Sequence, residues 1–311
     1  MYKLNILITG GAGNIASALA NKLSDNKDNF IVIVDNLSTG SLTKIPKKDN
    51  VKFIKADTNN YNDIAPIFKG YCFEYVFHYA AVVGVKRTLE NPIMVLNDIE
   101  GIKNILSLSK KSGVKRVFYS SSSEVYGEPF EIPQNENTTP LNSRLPYAIV
   151  KNVGEAFFKS YYQEYGLEYT IFRFFNTYGP NQSDDFVVPR FIKAALKSEP
   201  ITLYGDGLQT RSFCYVEDNI ETCIKAMISQ ECINDVLNVG SDKEMTILDL
   251  AKKVIEVVNS KSKIIHLPAL EEGDMTRRCP DTTKMKKILQ RDLIELQVGI
   301  KKLIDHYESR V

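Results

Sequence analysis

Short apolar runs alternate with longer amphipathic stretches through the first half of the chain. Six of these runs, rich in Val, Ile, Phe and Tyr, predict strands at Lys3–Thr9, Phe30–Asp35, Val51–Lys55, Tyr75–Tyr79, Arg116–Ser120 and Tyr169–Phe174. Most lack strict polar alternation, which is the pattern of strands covered on both faces in a parallel sheet. Between them, stretches such as Ile15–Ser24, Ile99–Ser112 and Val150–Tyr165 predict helices. Strand and helix repeated in this way give an α/β fold built on a doubly wound parallel sheet. After Pro180 the rhythm breaks, with Pro189, Pro200, Gly205 and Gly207 punctuating shorter segments. The expected organisation is a first domain over residues 1–177 and a smaller C-terminal lobe over 178–311. Asp218–Met227 and Val236–Val239 are expected to pack back on the first domain.

Composition narrows the class without naming a chemistry. The 311 residues are 43% hydrophobic and 25% charged, ordinary for a globular protein. A net charge of +1 provides no general field for nucleic acid or an anionic membrane, so neither is expected as a partner. Leu4–Ile8 is too short for a secretory apolar core, and no run approaches the roughly 20 residues of a membrane span. Cys72, Cys214, Cys223, Cys232 and Cys279 form no C-x-x-C pair, and the three histidines are scattered. Reduced thiols, a cytoplasmic location and no metal site are the expectations.

The first strand runs into Gly10-Gly11-Ala12-Gly13-Asn14-Ile15-Ala16, a G-x-x-G-x-x-[G/A] loop leading into a helix. Gly10 permits the tight turn, Gly13 lets the backbone approach a pyrophosphate, and Ala16 allows close helix–strand packing. The pyrophosphate would sit on first-turn amides, those of Asn14 and Ile15 among them, where the helix dipole favours negative charge. The second strand ends in Asp35, whose carboxylate can accept both ribose hydroxyls. Asn36 follows, with no Arg to meet a 2′-phosphate, so NAD is expected over NADP. The third strand leads to Asp57 and Thr58 on the adenine side. The fourth leads to Ala80 and Ala81, small enough for backbone to lie against the cofactor.

Tyr147 and Lys151 stand four apart after Pro146, which suits a first helical turn, so both side chains share one face. A tyrosine becomes a base at neutral pH only if its phenolate is stabilised. Lowering its pKa by about three units needs roughly 4 kcal/mol, the order expected from a neighbouring ammonium and an oxidised nicotinamide. The same lysine could hold the nicotinamide ribose. The fifth strand leads into Ser120-Ser121-Ser122-Ser123-Glu124, where a hydroxyl can share a substrate proton with Tyr147.

Together with these stretches, Arg173–Pro180, Val188–Ile192 and Tyr204–Arg211 make the chain resemble the extended short-chain dehydrogenase/reductases. The likeness is to the NAD-dependent nucleotide-sugar epimerase/dehydratase family, and it runs along nearly the whole chain. It implies a Rossmann domain followed by a substrate-binding lobe, NAD as cofactor, and a nucleotide-diphosphate sugar as partner. It also implies Ser122, Tyr147 and Lys151 as a catalytic trio, with Ser123 and Glu124 beside it. Asn176, Arg190, Arg211 and Arg278 would hold the substrate, and Tyr204 would lie near its base. A homodimer built on the two later predicted helices is a further implication.

The chain departs from many relatives at Asn14 and Ala16 in the loop. Ser123-Glu124 stands where family dehydratases carry Asp-Glu, which disfavours dehydration and resembles the decarboxylases. The expected activity is oxidation at sugar C4 to a 4-keto species, by a 4-epimerase or a 4-dehydrogenase (of the GDP-heptose type, for example) in surface-polysaccharide precursor synthesis. Decarboxylase or dehydratase are alternatives. A non-catalytic NAD-sensing module is the alternative of a different class, disfavoured because the trio is complete.

Overall fold

The chain runs β1 (Leu4–Thr9), α1 (Asn14–Leu23), β2 (Asn29–Asp35), β3 (Val51–Lys55), α2 (Tyr61–Gly70), β4 (Tyr75–His78), α3 (Val85–Glu90), α4 (Pro92–Leu96), α5 (Asp98–Lys111), β5 (Arg116–Ser122), α6 (Pro146–Tyr165) and β6 (Glu168–Phe174). It continues through β7 (Thr177–Tyr178), α7 (Val187–Leu196), β8 (Ile201–Tyr204), β9 (Thr210–Ser212), β10 (Cys214–Tyr215), α8 (Val216–Ile228), β11 (Asp235–Val239), β12 (Glu244–Thr246), α9 (Ile247–Val258), β13 (Ile264–Leu267), α10 (Thr283–Leu289) and α11 (Leu296–Glu308). This computed structural model describes residues 4–268 and 277–309, without the side chains of 85 and 86; Lys3, expected to open the first strand, lies outside the described residues.

Seven strands form one parallel sheet in the order β11-β6-β5-β4-β1-β2-β3. The order reverses between β1 and β4, which opens a crevice at their carboxyl ends. Strand alternation sorts the core into two layers. Ile6, Ile8, Ile31, Ile33, Phe77 and Phe118 face α1 and α8, while Leu7, Val32, Val34, Val76, Val117 and Ile171 face α2, α5 and α6. Each is fully buried, and burial of such a side chain contributes roughly 1.5–3 kcal/mol.

The expected elements are present with shifted ends. β5 continues to Ser122, two residues beyond its expected end, and α6 starts at Pro146 in its first turn. β11 pairs with β6 in parallel, and α8 packs on α1. Segments C-terminal to residue 178 therefore complete the first layer. Among the described residues no helix is long and apolar enough to cross a membrane.

Candidate functional site

A cleft of about 650 Å³ lies at the strand ends where the sheet order reverses. Its floor is the loop after β1. Gly10 has φ +67°, and a Cβ there would stand 2.7 Å from the backbone of Ala80, so the loop is pressed onto the end of β4. Thr9 secures that contact: its hydroxyl is 2.9 Å from His78 Nδ1 and accepts from the amides of Tyr79 and Ala80, both at 3.2 Å. Burial, then the charge of Lys151, lowers the His78 pKa to about 3, so the ring is neutral. Gly13, extended, caps α1, whose first-turn amides have no acceptor within the helix. A Cβ on Gly13 would stand 3.1 Å from the Gly10 carbonyl and narrow the cleft. Asn14, Ile15 and the buried Ala16 complete this wall. The donors and the space fit a pyrophosphate despite the departures at Asn14 and Ala16.

At the end of β2, Asp35 lines the cleft with both oxygens already accepting, one from the Ala12 amide at 3.0 Å and one from the Leu37 amide at 2.7 Å. A carboxylate has about four acceptor positions, so it can still receive ribose hydroxyls, but some of its capacity holds the loop. Asn36 donates to Asp57 at 3.0 Å, which ties the ends of β2 and β3 together, and Thr58, Ala80 and Ala81 line the same side. Two residues here have no signature in the sequence. Lys44 lines the cleft, its pKa lowered by burial against the attraction of Asp35. Asp98, at the start of α5, accepts from the Val82 amide at 2.7 Å and from Asn59 at 3.3 Å, so it joins two cofactor-side loops. The only hint of it is an acidic residue in a first helical turn.

The catalytic candidates converge where β5 ends. Ser122 caps the short turn Ser123–Tyr126 and accepts from the Glu124 amide at 3.2 Å. Tyr147, on the first turn of α6, lines the same cleft wall, near enough to Ser122 for that hydroxyl to pull its pKa down. Lys151 is 3% exposed and is not among the cleft-lining residues; its Nζ donates to the Ser120 carbonyl at 2.6 Å and lies 5.6 Å from the centre of the Tyr147 ring. The Tyr147 pKa is raised here, chiefly by burial and then by Glu124, while the Ser122 hydroxyl and Arg278 pull it down. Desolvation of the phenolate outweighs the Arg278 charge; the expected lowering included the charge of an oxidised nicotinamide. Burial likewise lowers Lys151 to about 8, against the attraction of Asp98.

Arg278 enters the cleft from the segment before α10, and its Nη1 lies 2.7 Å from Oε1 of Glu124. Both side chains are largely buried, Arg278 the more so. Asn176 also lines the cleft and donates to the Ser212 carbonyl at 3.1 Å. The other expected substrate residues lie elsewhere. Arg190 stacks over the Tyr204 ring at 5.6 Å, and Arg211, on β9, donates to the Thr210 carbonyl at 2.7 Å. Arg190, Tyr204 and Arg211 are not among the residues that line this cleft. Arg87, on α3, lines the mouth, and no motif in the sequence marks it.

A family model described as the NAD dependent epimerase/dehydratase family matches residues 6–240. A UDP-N-acetyl-alpha-D-glucosaminuronate decarboxylase of Bacillus cytotoxicus is 35% identical, over 99% of this chain and 98% of its own. A putative UDP-glucose 4-epimerase of Methanocaldococcus jannaschii is 34% identical, over 96% and 97%. Among solved structures, a UDP-glucose 4-epimerase of Thermotoga maritima with UDP-glucose superposes with a TM-score of 0.93 at 31% identity, over 99% of both chains.

Proposed function

Because the chain belongs to the NAD dependent epimerase/dehydratase family, we propose that it oxidises C4 of a UDP-linked sugar acid and releases the sugar carboxylate as carbon dioxide. It is an enzyme and NAD is its cofactor. The observation that carries the substrate reading is the largely buried Arg278 guanidinium, 2.7 Å from Glu124 in the cleft wall that also holds Tyr147. A guanidinium fork matches a carboxylate, and in a partly dry site it favours an acidic sugar over a neutral one. The curated relatives include, besides the one from Bacillus cytotoxicus, UDP-glucuronic acid decarboxylases of Arabidopsis thaliana.

In this reading the loop amides after Gly13 hold the pyrophosphate, and Asp35 with Thr58 holds the adenosine end. The nicotinamide, when bound, supplies the acceptor for the C4 hydride. Tyr147 takes the C4 hydroxyl proton, with Ser122 sharing that hydrogen bond. The C4 ketone then stands β to the C6 carboxylate, so the C5–C6 bond can break with its electrons drawn toward the ketone oxygen. Tyr147 returns its proton to that oxygen, and Arg278 holds the carboxylate until it leaves. Glu124 fixes the direction of the Arg278 fork. Protonation at C5 and reduction of the ketone close the cycle without an outside oxidant.

A 4-epimerase is the second reading, supported by the likeness to the Thermotoga maritima structure. It too closes its redox cycle. A 4-dehydrogenase that releases its ketone, GDP-heptose type included, would leave reducing equivalents on the protein and need an external oxidant. Any of the three fits the making of surface-polysaccharide precursors. The test is incubation with UDP-glucuronate, UDP-N-acetylglucosaminuronate, UDP-glucose and GDP-heptose, followed by mass spectrometry for mass loss and NMR to resolve the C4 epimers. Loss of carbon dioxide from a UDP-uronate supports the proposal. Turnover of UDP-glucose to its C4 epimer with both uronates untouched overturns it.

A further inference from the structure

We propose that the buried pair Glu155 and Arg173 is a positioning couple that sets the Ser122 strand end against the Tyr147 helix face. The two side chains are 1% and 2% exposed. Such a pair is weak evidence of stability, because apolar residues of similar volume often serve a fold as well. Its directional contacts supply another reason for it. Glu155 accepts from Arg173 Nε at 2.9 Å and Nη2 at 2.7 Å, and also from the Ser121 hydroxyl at 2.6 Å. Arg173 Nη1 donates to the Tyr126 hydroxyl at 2.7 Å, and Tyr126 donates in turn to Asn238 at 2.8 Å.

These bonds grip the catalytic segment at both ends. Ser121 immediately precedes Ser122, and Tyr126 closes the turn that carries Ser123 and Glu124. Ser121 and Ser122 both line the cleft wall, and the Glu155 bond holds the Ser121 hydroxyl against α6. On α6, Tyr147, Lys151 and Glu155 recur every four residues and share one face. The Ser121–Glu155 bond therefore fixes how closely that face approaches β5, and with it the distance between Ser122 and Tyr147. Gly154 marks the same closeness: a Cβ there would overlap the Tyr119 hydroxyl. Arg173 transmits the setting to the Glu124 side of the site.

The inference rests on Tyr147 and Ser122 as the proton-handling pair, and not on which sugar is the substrate. The test uses the full-length holoenzyme and whichever panel member the wild type oxidises, so failure of the uronate reading leaves it standing. Ser121→Ala removes one arm and spares the ion pair, and Glu155→Gln removes the charge. A misplacement near 1 Å can cost about 10² in rate. The expected result is a kcat loss of about tenfold for Ser121→Ala and about a hundredfold for Glu155→Gln, with KM and NAD affinity within about threefold. Because the Ser122 hydroxyl pulls the Tyr147 pKa down, the base limb of the kcat–pH profile should move to higher pH in both. A purely structural role would lower the melting temperature and leave the kcat and pH profile of the folded protein unchanged, and that result overturns the proposal. If Glu155→Gln does not fold, Ser121→Ala decides alone: wild-type kcat with an unmoved limb refutes it.

Discussion

Arg278 and Glu124, 154 positions apart in the sequence, meet at 2.7 Å in the cleft. The contact joins the turn after β5 to the segment before α10. It gives the site a cation whose fork is oriented by a carboxylate and whose field reaches the phenol of Tyr147. The resemblance to nucleotide-sugar enzymes implied Arg278 as a diphosphate ligand. Under the proposed decarboxylation, the pairing with Glu124 would instead present it to an acidic group on the sugar.

Arg278→Lys keeps the charge and loses the fork. A hydrogen bond to a charged group is worth about 1.5–3 kcal/mol, so kcat/KM on a UDP-uronate should fall about 10- to 150-fold. Activity on any neutral UDP-sugar should change little. Equal losses on both would mean that Arg278 holds a group common to all the substrates, such as the diphosphate. Glu124→Gln removes a charge that raises the Tyr147 pKa, so the base limb of the kcat–pH profile should shift to lower pH.

Tyr147→Phe deletes the proton acceptor and keeps the ring, so kcat should drop by at least the 10²–10⁴ typical of general acid–base groups, on the order of a thousandfold. NAD affinity, measured by calorimetry, should hold. Lys151 behaves differently, because burial lowers it to about 8. If its positive charge supports the tyrosine, kcat/KM should decline as pH rises past about 8, and Lys151→Met should abolish that limb. The folded pKa lies below the unfolded 10.5, so the unfolded chain binds more protons between the two values. This group's contribution to stability should therefore rise with pH across that window.

The sheet was readable from sequence because strands buried on both faces are nearly continuous apolar runs. The loop was readable because Gly10 satisfies a backbone demand that only glycine meets at low cost. What stayed hidden was set by tertiary contact. α2 carries Pro66 inside it, which masks a helix to any reading based on propensity. β11 was expected to pack back on the first domain, but its pairing beside β6 was not legible, because β7 to β10, α7 and α8 intervene along the chain. Arg190, Tyr204 and Arg211 matched family stretches and do not line this cleft. Lys44 and Asp98 reach the cleft through folding alone, and no local motif surrounds them.

His78 should make the protein acid-sensitive. Its folded pKa is about 3 against 6.5, so in that interval the unfolded state binds the extra proton and stability falls as pH is lowered. Between pH 7 and pH 5 the loss should be about 2 kcal/mol, at 1.36 kcal/mol per unit below the unfolded pKa. Urea denaturation at the two pH values, repeated on His78→Gln, isolates the term. An equal drop in the variant would clear the histidine.

α5 and α6 lie side by side, and α6 presents an outward groove lined by Val153, Ala156, Phe157, Ser160, Tyr161, Glu164 and Tyr165. A dimer through these two helices is the proposed assembly. Light scattering at micromolar concentration should give twice the chain mass, and Ala156→Arg, at an exposed position, should give a monomer with unchanged melting behaviour. A monomeric wild type would remove the proposal.

Cofactor choice should rest on Asp35 and Lys44 acting in opposite senses. The Asp35 carboxylate holds the Ala12 and Leu37 amides and faces the cleft where a ribose would lie. A 2′-phosphate placed there would meet a like charge. At about 4 Å and an effective dielectric constant near 20 this repulsion is on the order of 4 kcal/mol per unit charge, and Lys44 nearby offsets some of it. NAD should thus bind at least about a hundredfold more tightly than NADP, a free-energy gap of about 3 kcal/mol. Asp35→Asn should shrink the gap from both sides. The amide group relieves the repulsion, which improves NADP. It also turns an NH₂ toward one of the two backbone amides, which loosens the loop and weakens NAD. Lys44→Met should widen the gap instead. Calorimetry on protein stripped of nucleotide measures all three. Comparable affinities for the two cofactors in the wild type would take Asp35 out of the role, and a gap unmoved by Lys44→Met would do the same for the lysine.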